Sequence, residues 1–187
     1  MAKTPSNMLP LGTRLPAFSL PDTVSGKTFD GQELMGEHGL LVMFICNHCP
    51  FVKHVLDELV RLGRNYADSG IGMVAISSND VVGYPQDRPE KMAELACERG
   101  FLFPYLYDKD QTVARAFDAA CTPDFYLFDG AGKLVYRGQL DDSRPGNGVA
   151  VSGADLRAAI EAVLGRGSMP SEQKPSIGCN IKWRERG

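Results

Sequence analysis

The chain has 187 residues, of which 43% are hydrophobic and 23% are charged, and its formal net charge is −3 at pH 7. This profile is typical of one soluble globular domain with enough residues to bury a substantial core. Twenty basic and 23 acidic residues without any basic block exclude a nucleic-acid or anionic-membrane surface. The longest apolar run, 40–46, is too short to span a membrane, and no apolar signal segment is present. We therefore expect a cytoplasmic protein.

The first half of the chain predicts alternating strands and helices. Apolar segments at 17–20 and 27–29 surround a turn and predict a small N-terminal β-hairpin. Next come a strand at Leu40–Ile45, a helix from Pro50 to Tyr66, a strand at Ile71–Ser77 and a helix at Pro89–Arg99. Such alternation is typical of an α/β fold in which helices connect parallel strands.

The second half predicts that the sheet is mixed. Pro104–Tyr107 reads as a short strand and Gln111–Asp118 as a short helix. Two alternating segments around Asp129–Lys133 then predict an antiparallel hairpin. A long loop and a last amphipathic helix, Gly153–Leu164, follow. We expect one domain over residues 1–165 and a C-terminal tail, 166–187, that packs on the domain or on a partner subunit.

The cysteines pose the main functional question. Five cysteines stand at positions 46, 49, 97, 121 and 179, and an odd number in a reducing compartment argues against a structural disulfide framework. Such cysteines are catalytic, redox-active or metal-binding, or they pack in the core. The helical position of Cys97 favours core packing, so we assign it no role.

The segment Cys46-Asn-His-Cys49-Pro50 lies where a buried strand ends and a helix begins. With Pro50 at the first helical position, Cys49 is the expected N-cap, so its sulfur faces unpaired backbone N–H groups and the positive end of the helix dipole. That environment favours the thiolate, the reactive form of cysteine. Cys46 is close enough in sequence to form a disulfide with Cys49 if the turn permits.

The chain resembles the thioredoxin superfamily, in particular its peroxiredoxin-like branch of alkyl hydroperoxide reductases and thiol-specific antioxidants. The resemblance lies in a strand followed by Cys46-x-x-Cys49 and a helix, and in the later Thr122-Pro123. The resemblance covers roughly Leu15–Gly165 and extends to the hairpin segment Ala17–Asp22. It implies a thioredoxin-like three-layer α/β/α sandwich with a mixed central sheet and an N-terminal β-hairpin extension. It also implies that Thr122 and Pro123 form a cis-proline loop that holds the substrate, and it implies no cofactor.

The chain departs from the family patterns at several positions. If Cys49 is the nucleophile, Met43 replaces the buried acid of thioredoxins and Cys46 replaces the threonine of peroxiredoxins. No clear equivalent of the peroxiredoxin arginine is present, although Arg115 and Arg144 are conceivable substitutes. The alternative register makes Cys46 the nucleophile and Cys49 its partner, but the proline favours Cys49.

Four further residues have two interpretations each. His48 can transfer a proton beside the thiolate, or it lies at the start of the helix and takes no part in chemistry. For His54, the second interpretation is preferred. Cys121, next to Thr122-Pro123, is either a second resolving thiol or a small buried apolar residue. Cys179 in the tail is either a C-terminal resolving cysteine, as in some peroxiredoxins, or is buried beneath Trp183.

The leading hypothesis is a thiol–disulfide oxidoreductase in which Cys49 attacks a protein or small-molecule disulfide and Cys46 resolves the mixed disulfide. One alternative is a thiol-dependent peroxidase with antioxidant function, in which a peroxide oxidises Cys49. A second is a redox-inert module in which Cys46, His48 and Cys49 hold a soft metal. The first two need a cellular thiol reductant, and the resemblance allows a homodimer.

Overall fold

The structure, a computed structural model, describes residues 3–184. Its main sheet has five strands in the order β6-β5-β4-β8-β9. The three strands β4, β5 and β6 are parallel. Strand β8 pairs antiparallel with β4, and β9 pairs antiparallel with β8. The strands of the described chain are β1 Lys3–Pro5, β2 Ser19–Pro21, β3 Thr28–Asp30, β4 Gly39–Phe44, β5 Ile71–Ser77, β6 Tyr105–Tyr107, β7 Cys121–Thr122, β8 Asp124–Asp129, β9 Leu134–Gly138 and β10 Ile177–Asn180. The mixed sheet is the one that the sequence predicts.

Helices cover both faces of this sheet. They are α1 Gly31–Leu34, α2 Pro50–Tyr66, α3 Pro89–Arg99, α4 Thr112–Ala116 and α5 Ala154–Val163, with a 3₁₀ turn at Pro85–Asp87. Proline opens both α2 and α3, where its missing N–H costs nothing. Gly100 ends α3 at φ 66°, a left-handed conformation that glycine adopts without strain. No helix within residues 3–184 is both long and apolar enough to cross a membrane.

Strand β4 is the centre of the core because both of its faces are buried. Leu41 and Met43 point to the side of the sheet that α2, α3 and α5 cover. Leu40, Val42 and Phe44 point to the other side, where α4 and the N-terminal hairpin pack. This period of two explains why β4 reads as an unbroken apolar run rather than as alternating apolar and polar residues.

The N-terminal hairpin forms as predicted, with β2 and β3 antiparallel. A second sheet, in the order β1-β10-β7, is absent from the sequence-based expectations. In it the tail strand β10 lies between the N-terminal strand and the short strand before Pro123, with Cys179 opposite Thr122. These strands are two to four residues long and pair across most of the chain, so local pattern gives no sign of them.

Candidate active site

The site lies where β4 ends and α2 begins, at the carboxyl edge of the parallel strands. Cys49 is the N-cap of α2, with extended backbone angles of φ −66° and ψ 123°, and Pro50 takes the first helical position. Its side chain makes no full capping hydrogen bond, yet the backbone N–H of Val52 faces the sulfur and favours the thiolate. The predicted position of Cys49 at the start of the helix is the one that the structure has.

Cys49 is surrounded by groups that stabilise a negative sulfur. Its pKa is lowered to about 5, chiefly by a hydrogen bond from the thiol of Cys46 and also by one from Cys179, against the opposing effect of burial. The Sγ atoms of Cys49 and Cys179 are 2.9 Å apart. When Cys49 is protonated, its thiol can instead donate to the carbonyl oxygen of Thr122 at 3.3 Å.

Cys46 shares the site but has the opposite protonation preference. Its pKa is raised well above the usual value, first by the hydrogen bond that it donates to Cys49 and then by burial and by the charge of Asp87. Its Sγ lies 3.4 Å from Oγ1 of Thr122 and 4.0 Å from Nδ1 of His48. One thiolate and one neighbouring thiol are the arrangement that a nucleophile and a resolving cysteine require.

The tail brings in a third thiol. Strand β10 holds Cys179 against Cys49, and burial together with the contact to Cys49 raises its pKa to about 12. Cys121 sits on the adjoining strand β7, where its Sγ is 3.8 Å from the carbonyl oxygen of Pro123. Burial raises the pKa of Cys121 strongly. Of the two additional thiols that the sequence suggests, Cys179 is therefore the one in direct contact with Cys49.

The peptide bond between Thr122 and Pro123 is cis, as the resemblance predicts. The Thr122 hydroxyl faces Cys46 and its carbonyl faces Cys49. Pro123 and the first turn of α2, represented by Phe51, line a small cleft with Ser143 and Arg144 of the long loop. The segment thus borders both sulfurs and a surface opening next to them.

Asp87 is a site residue that sequence reasoning missed. It is fully buried, and its Oδ2 lies 2.6 Å from Nδ1 of His48. The His48 ring stacks on Tyr84, with centroids 5.1 Å apart, and its Nε2 is buried without a hydrogen-bond partner. The signal in the sequence was the polar segment that follows β5, because the carboxyl ends of adjacent parallel strands meet at one edge of a sheet.

The same residues form a set that can hold a metal ion. Sγ of Cys46, Nδ1 of His48 and a carboxylate oxygen of Asp87 all lie within 4.8 Å of one another. A thiolate, an imidazole and a carboxylate suit zinc. The sequence-based metal hypothesis used Cys46, His48 and Cys49, whereas the structure groups Cys46 and His48 with Asp87 rather than with Cys49.

Comparison with known proteins identifies the family. The AhpC/TSA family matches residues 11–137, more than half of the chain. The chain belongs to the AhpC/TSA family. It is 29% identical over 117 residues, 62% of this chain and 68% of the relative, to a protein of Mycobacterium tuberculosis strain H37Rv that is provisionally named a peroxiredoxin. It is also 25% identical over 119 residues, 63% of this chain and 62% of the relative, to the thiol-disulfide oxidoreductase ResA of Halalkalibacterium halodurans.

Several solved structures share the fold of this chain. An uncharacterized conserved protein from Geobacillus kaustophilus has a TM-score of 0.98 at 53% identity, covering 100% of this chain and 99% of that one. A hypothetical protein from Sinorhizobium meliloti 1021 has a TM-score of 0.94 at 49% identity, covering 97% and 98%. Peroxidoxin BcpB from Mycobacterium tuberculosis, with a TM-score of 0.57 at 21% identity over 83% and 94% of the two chains, shares the fold. The predicted thioredoxin-like, peroxiredoxin-like assignment is confirmed, and the relatives' names agree with the predicted oxidoreductase class.

Other predicted residues of this AhpC/TSA-family protein lie outside the sulfur cluster. Nε2 of His54 bonds to the Ser143 hydroxyl at 2.7 Å. Arg144 donates to backbone carbonyls of its own loop and to Gln139, while Arg115 stacks over Trp183 at 4.4 Å. Both arginines are therefore engaged elsewhere. Trp183 is 37% exposed and so lies at the surface, outside the core.

The prediction that Cys97 packs in the core is wrong, because its side chain is exposed. Helix α3 of the AhpC/TSA-family chain buries Met92 and Ala96, four residues apart, on one stripe. Cys97 follows directly after this stripe and so points away from the sheet.

Proposed function

We propose that this AhpC/TSA-family protein is a thiol–disulfide oxidoreductase whose nucleophile is Cys49. The observation that carries the proposal is the cluster of three sulfurs at the start of α2, in which Cys49 has a pKa near 5 and touches Cys179 at 2.9 Å. A thiolate at neutral pH with neighbouring thiols has what a dithiol exchange reaction needs.

The reaction balances with groups already in the cluster. The Cys49 thiolate attacks one sulfur of a substrate disulfide, and the other sulfur leaves as a thiolate that takes up a proton. Cys46, after losing its proton, then attacks Sγ of Cys49 and expels the second substrate thiol. The products are a Cys46–Cys49 disulfide and a reduced substrate, and a cellular thiol reductant restores the two cysteines. Thr122 contacts both sulfurs, and together with Pro123 it would hold the substrate.

Cys179 competes with Cys46 for the resolving step because it also contacts Cys49. Disulfide mapping by mass spectrometry, after the protein has reacted with one equivalent of an aromatic disulfide, shows whether Cys46 or Cys179 forms the bond to Cys49. We expect a Cys46–Cys49 bond in the wild-type protein and a Cys49–Cys179 bond in C46S. The C49S variant should lose disulfide reduction entirely, whereas C97S, at an exposed position, should retain it. Full activity in C49S would contradict the proposal.

A peroxidase is the second candidate, favoured by the burial of Cys46, Cys49 and Cys179. A small oxidant reaches a buried sulfur more easily than a folded protein does. The Cys49 thiolate would attack a peroxide oxygen and expel an alcohol or water, leaving a sulfenic acid that condenses with a neighbouring thiol and releases water. Stopped-flow kinetics with hydrogen peroxide test this candidate function. A rate of Cys49 oxidation no higher than that of a free thiol would contradict a peroxidase.

Three further features belong to the proposal. A cytoplasmic location and an antioxidant role rest on the sequence and the family resemblance. A homodimer is likewise proposed, and sedimentation velocity of the purified protein tests it.

The metal-holding alternative is supported by the cluster of Cys46, His48 and Asp87. Elemental analysis of protein purified without chelators tests this alternative, which requires stoichiometric zinc or copper.

A further inference from the structure

The tail strand β10 holds a cysteine against the nucleophile in an extended conformation. It pairs antiparallel with β7, and Cys179 lies opposite Thr122. The Sγ atoms of Cys179 and Cys49 are 2.9 Å apart, and the carbonyl oxygen of Thr122 is 3.3 Å from the same Cys49 sulfur. An extended polypeptide whose disulfide sulfur is attacked by Cys49 needs this same place beside Thr122, because its sulfur has to touch Cys49.

With β10 in place, a polypeptide has no access to the nucleophile. The exposed fraction is 0% for Cys49 and 2% for Cys179. Both edges of β10 are paired, one with β7 and the other with β1, so β10 offers no free edge to an incoming strand. A small molecule needs only a narrow opening next to the small cleft at Phe51, Pro123 and Ile177. An extended polypeptide needs the whole place of β10.

The fit between β10 and Thr122 depends on the glycine before the cysteine. A Cβ at position 178 would lie 2.0 Å from the carbonyl oxygen of Thr122 and 2.6 Å from its carbonyl carbon. Both are backbone atoms, so no side-chain rotation relieves the overlap. The place beside Thr122 therefore fits a strand in which glycine directly precedes cysteine, and the tail supplies this pair as Gly178-Cys179.

The two ends of β10 are held differently. After the strand, the carbonyl oxygen of Lys182 accepts the N–H of Asp80 at 2.8 Å and the side-chain amide of Gln111 at 2.8 Å. Before the strand, residues 164–176 contain no helix or strand. The irregular segment leaves β10 slack on one side, while Lys182 anchors the other, so the strand has a hinge about which it can lift.

We propose that β10 is an autoinhibitory strand that occupies the binding place of a cysteine-containing polypeptide. The closed protein then reduces small disulfides, whereas a polypeptide disulfide has to displace β10. The polypeptide that fits is an extended segment with glycine directly before the cysteine, which pairs with Thr122 in place of β10. This inference rests on the proposed function, because Cys49 is the nucleophile in both.

The test compares two disulfides of different shape. One is dithiodipyridine, a small aromatic disulfide, and the other is the disulfide-linked dimer of the peptide Ile-Gly-Cys-Asn, which has the sequence of β10. Mass spectrometry of quenched samples gives the rate at which each disulfide oxidises the reduced protein. Every protein carries C97S, so that the exposed thiol does not react. Each rate is divided by the rate of the same disulfide with glutathione, which removes differences in intrinsic reactivity.

We expect the normalised rate of the peptide dimer to be well below that of dithiodipyridine in the parent protein. G178A weakens the fit of β10 and leaves the sulfurs of the site in place. It should raise the ratio of the peptide rate to the dithiodipyridine rate about tenfold, because the open state becomes more populated. G167A, at a position with open space around it, should leave this ratio unchanged.

A second peptide tests the glycine requirement. G178A should react more slowly with the dimer of Ile-Ala-Cys-Asn than with the dimer of Ile-Gly-Cys-Asn, because the alanine Cβ of the peptide would meet the carbonyl oxygen of Thr122. Equal normalised rates for the two peptides would contradict the proposed binding mode.

Hydrogen–deuterium exchange tests the displacement of β10 without G178A, and it decides the question if that variant does not fold. In C46S/C97S/C179S, Cys49 keeps a mixed disulfide because neither neighbouring thiol can resolve it. The N–H of Ser6 bonds to the carbonyl oxygen of Ser176, just before β10, at 2.8 Å. This N–H should lose protection when Cys49 carries Ile-Gly-Cys-Asn and keep it when Cys49 carries pyridinethiol.

The outcomes separate this inference from the proposed function. If the parent protein reacts with the peptide dimer as fast as with dithiodipyridine, or if Ser6 stays protected with the peptide attached, β10 is not autoinhibitory, and Cys49 remains the nucleophile. If C49S reacts with dithiodipyridine as fast as the parent protein does, the proposed function fails, and the inference fails with it.

Discussion

At the scale of single residues, the site depends on how differently one side chain type behaves at five positions. Cys49 has a pKa near 5, whereas burial and neighbouring groups raise the pKa of Cys46, Cys121 and Cys179. Cys97 is exposed on α3. Because the thiolate is the reactive form of cysteine, Cys49 is the most reactive of the four buried cysteines even without a bound substrate.

The first prediction concerns the pH dependence of alkylation at Cys49. A folded-state pKa near 5 means that the thiolate persists above that pH and is lost below it. The rate of reaction with iodoacetamide at Cys49 should therefore rise between about pH 4 and 6 and then level off, instead of rising near the ~8.5 of a free thiol. Peptide mass spectrometry reads the rate for each cysteine, with exposed Cys97 as internal reference. A midpoint above pH 8 would contradict the assignment.

A second prediction concerns Asp124, at the start of β8 beside the cis peptide bond. Burial raises its pKa to about 7 from 3.8, despite hydrogen bonds from the hydroxyls of Tyr126 at 2.8 Å and Ser6 at 3.0 Å. The folded state therefore binds a proton that the unfolded state releases, so this group's stabilisation is complete below about pH 4, declines as pH rises, and is gone above about pH 7.

Chemical denaturation between pH 4 and 7 measures this effect. The free energy of unfolding of the wild-type protein should fall relative to that of D124N by an amount on the order of 4 kcal/mol across this range. A difference between the two proteins that does not vary with pH would show that Asp124 remains ionised throughout.

At the scale of elements, two features meet at the site: the start of α2 and the tail strand β10. The helix supplies the N-terminal environment of Cys49, and the strand covers that sulfur with Cys179. Gly178 makes this approach possible, because a Cβ at that position would lie 2.0 Å from the carbonyl oxygen of Thr122. A side chain there is incompatible with the observed contact between β10 and β7.

The third prediction follows from this close approach. G178A should push β10 away from Thr122, lower the free energy of unfolding by about 1–3 kcal/mol, and expose Cys49. Alkylation of Cys49 at pH 7 should become faster although its thiolate fraction is already high. G167A, at a position with open space around it, is the matched control. An unchanged alkylation rate in a destabilised G178A would mean that β10 does not limit access.

At the scale of the whole molecule, a buried carboxylate joins two helices on one face of the sheet. Glu58 of α2 is 2% exposed and pairs with Arg157 of α5 at 2.6 Å and with Arg61 at 2.6 Å. Both helices pack on β4 and β8 through the same core layer. The Glu58–Arg157 ion pair thus links the helix that carries Cys49 to α5.

The fourth prediction is that E58Q lowers the free energy of unfolding by about 1–3 kcal/mol, because charge-assisted hydrogen bonds from two arginines are weakened at a buried position. E94Q is the matched control, since Glu94 forms an exposed pair with Lys91 on α3. That change should cost at most about 0.5 kcal/mol. Equal effects of the two substitutions in urea denaturation would contradict a stabilising role for the buried pair.

By itself, the sequence determined the central architecture and the position of Cys49 at the start of α2. The apolar run of β4, the proline at the start of α2 and the spacing of Cys46 and Cys49 are local signals, and the structure has these elements as predicted. They are readable because strand burial, helix starts and turns depend on residues close together in the chain.

Only the tertiary structure decided how distant segments complete the site. Cys179 reaches Cys49 across 130 residues, and Asp87 reaches His48 across 39. Cys97, by contrast, turned out to be exposed because one helical position separates it from the buried stripe. Such contacts depend on strand pairing and helix rotation in three dimensions, which no local pattern encodes. The groups that contact Cys49 therefore could not be predicted from the sequence alone.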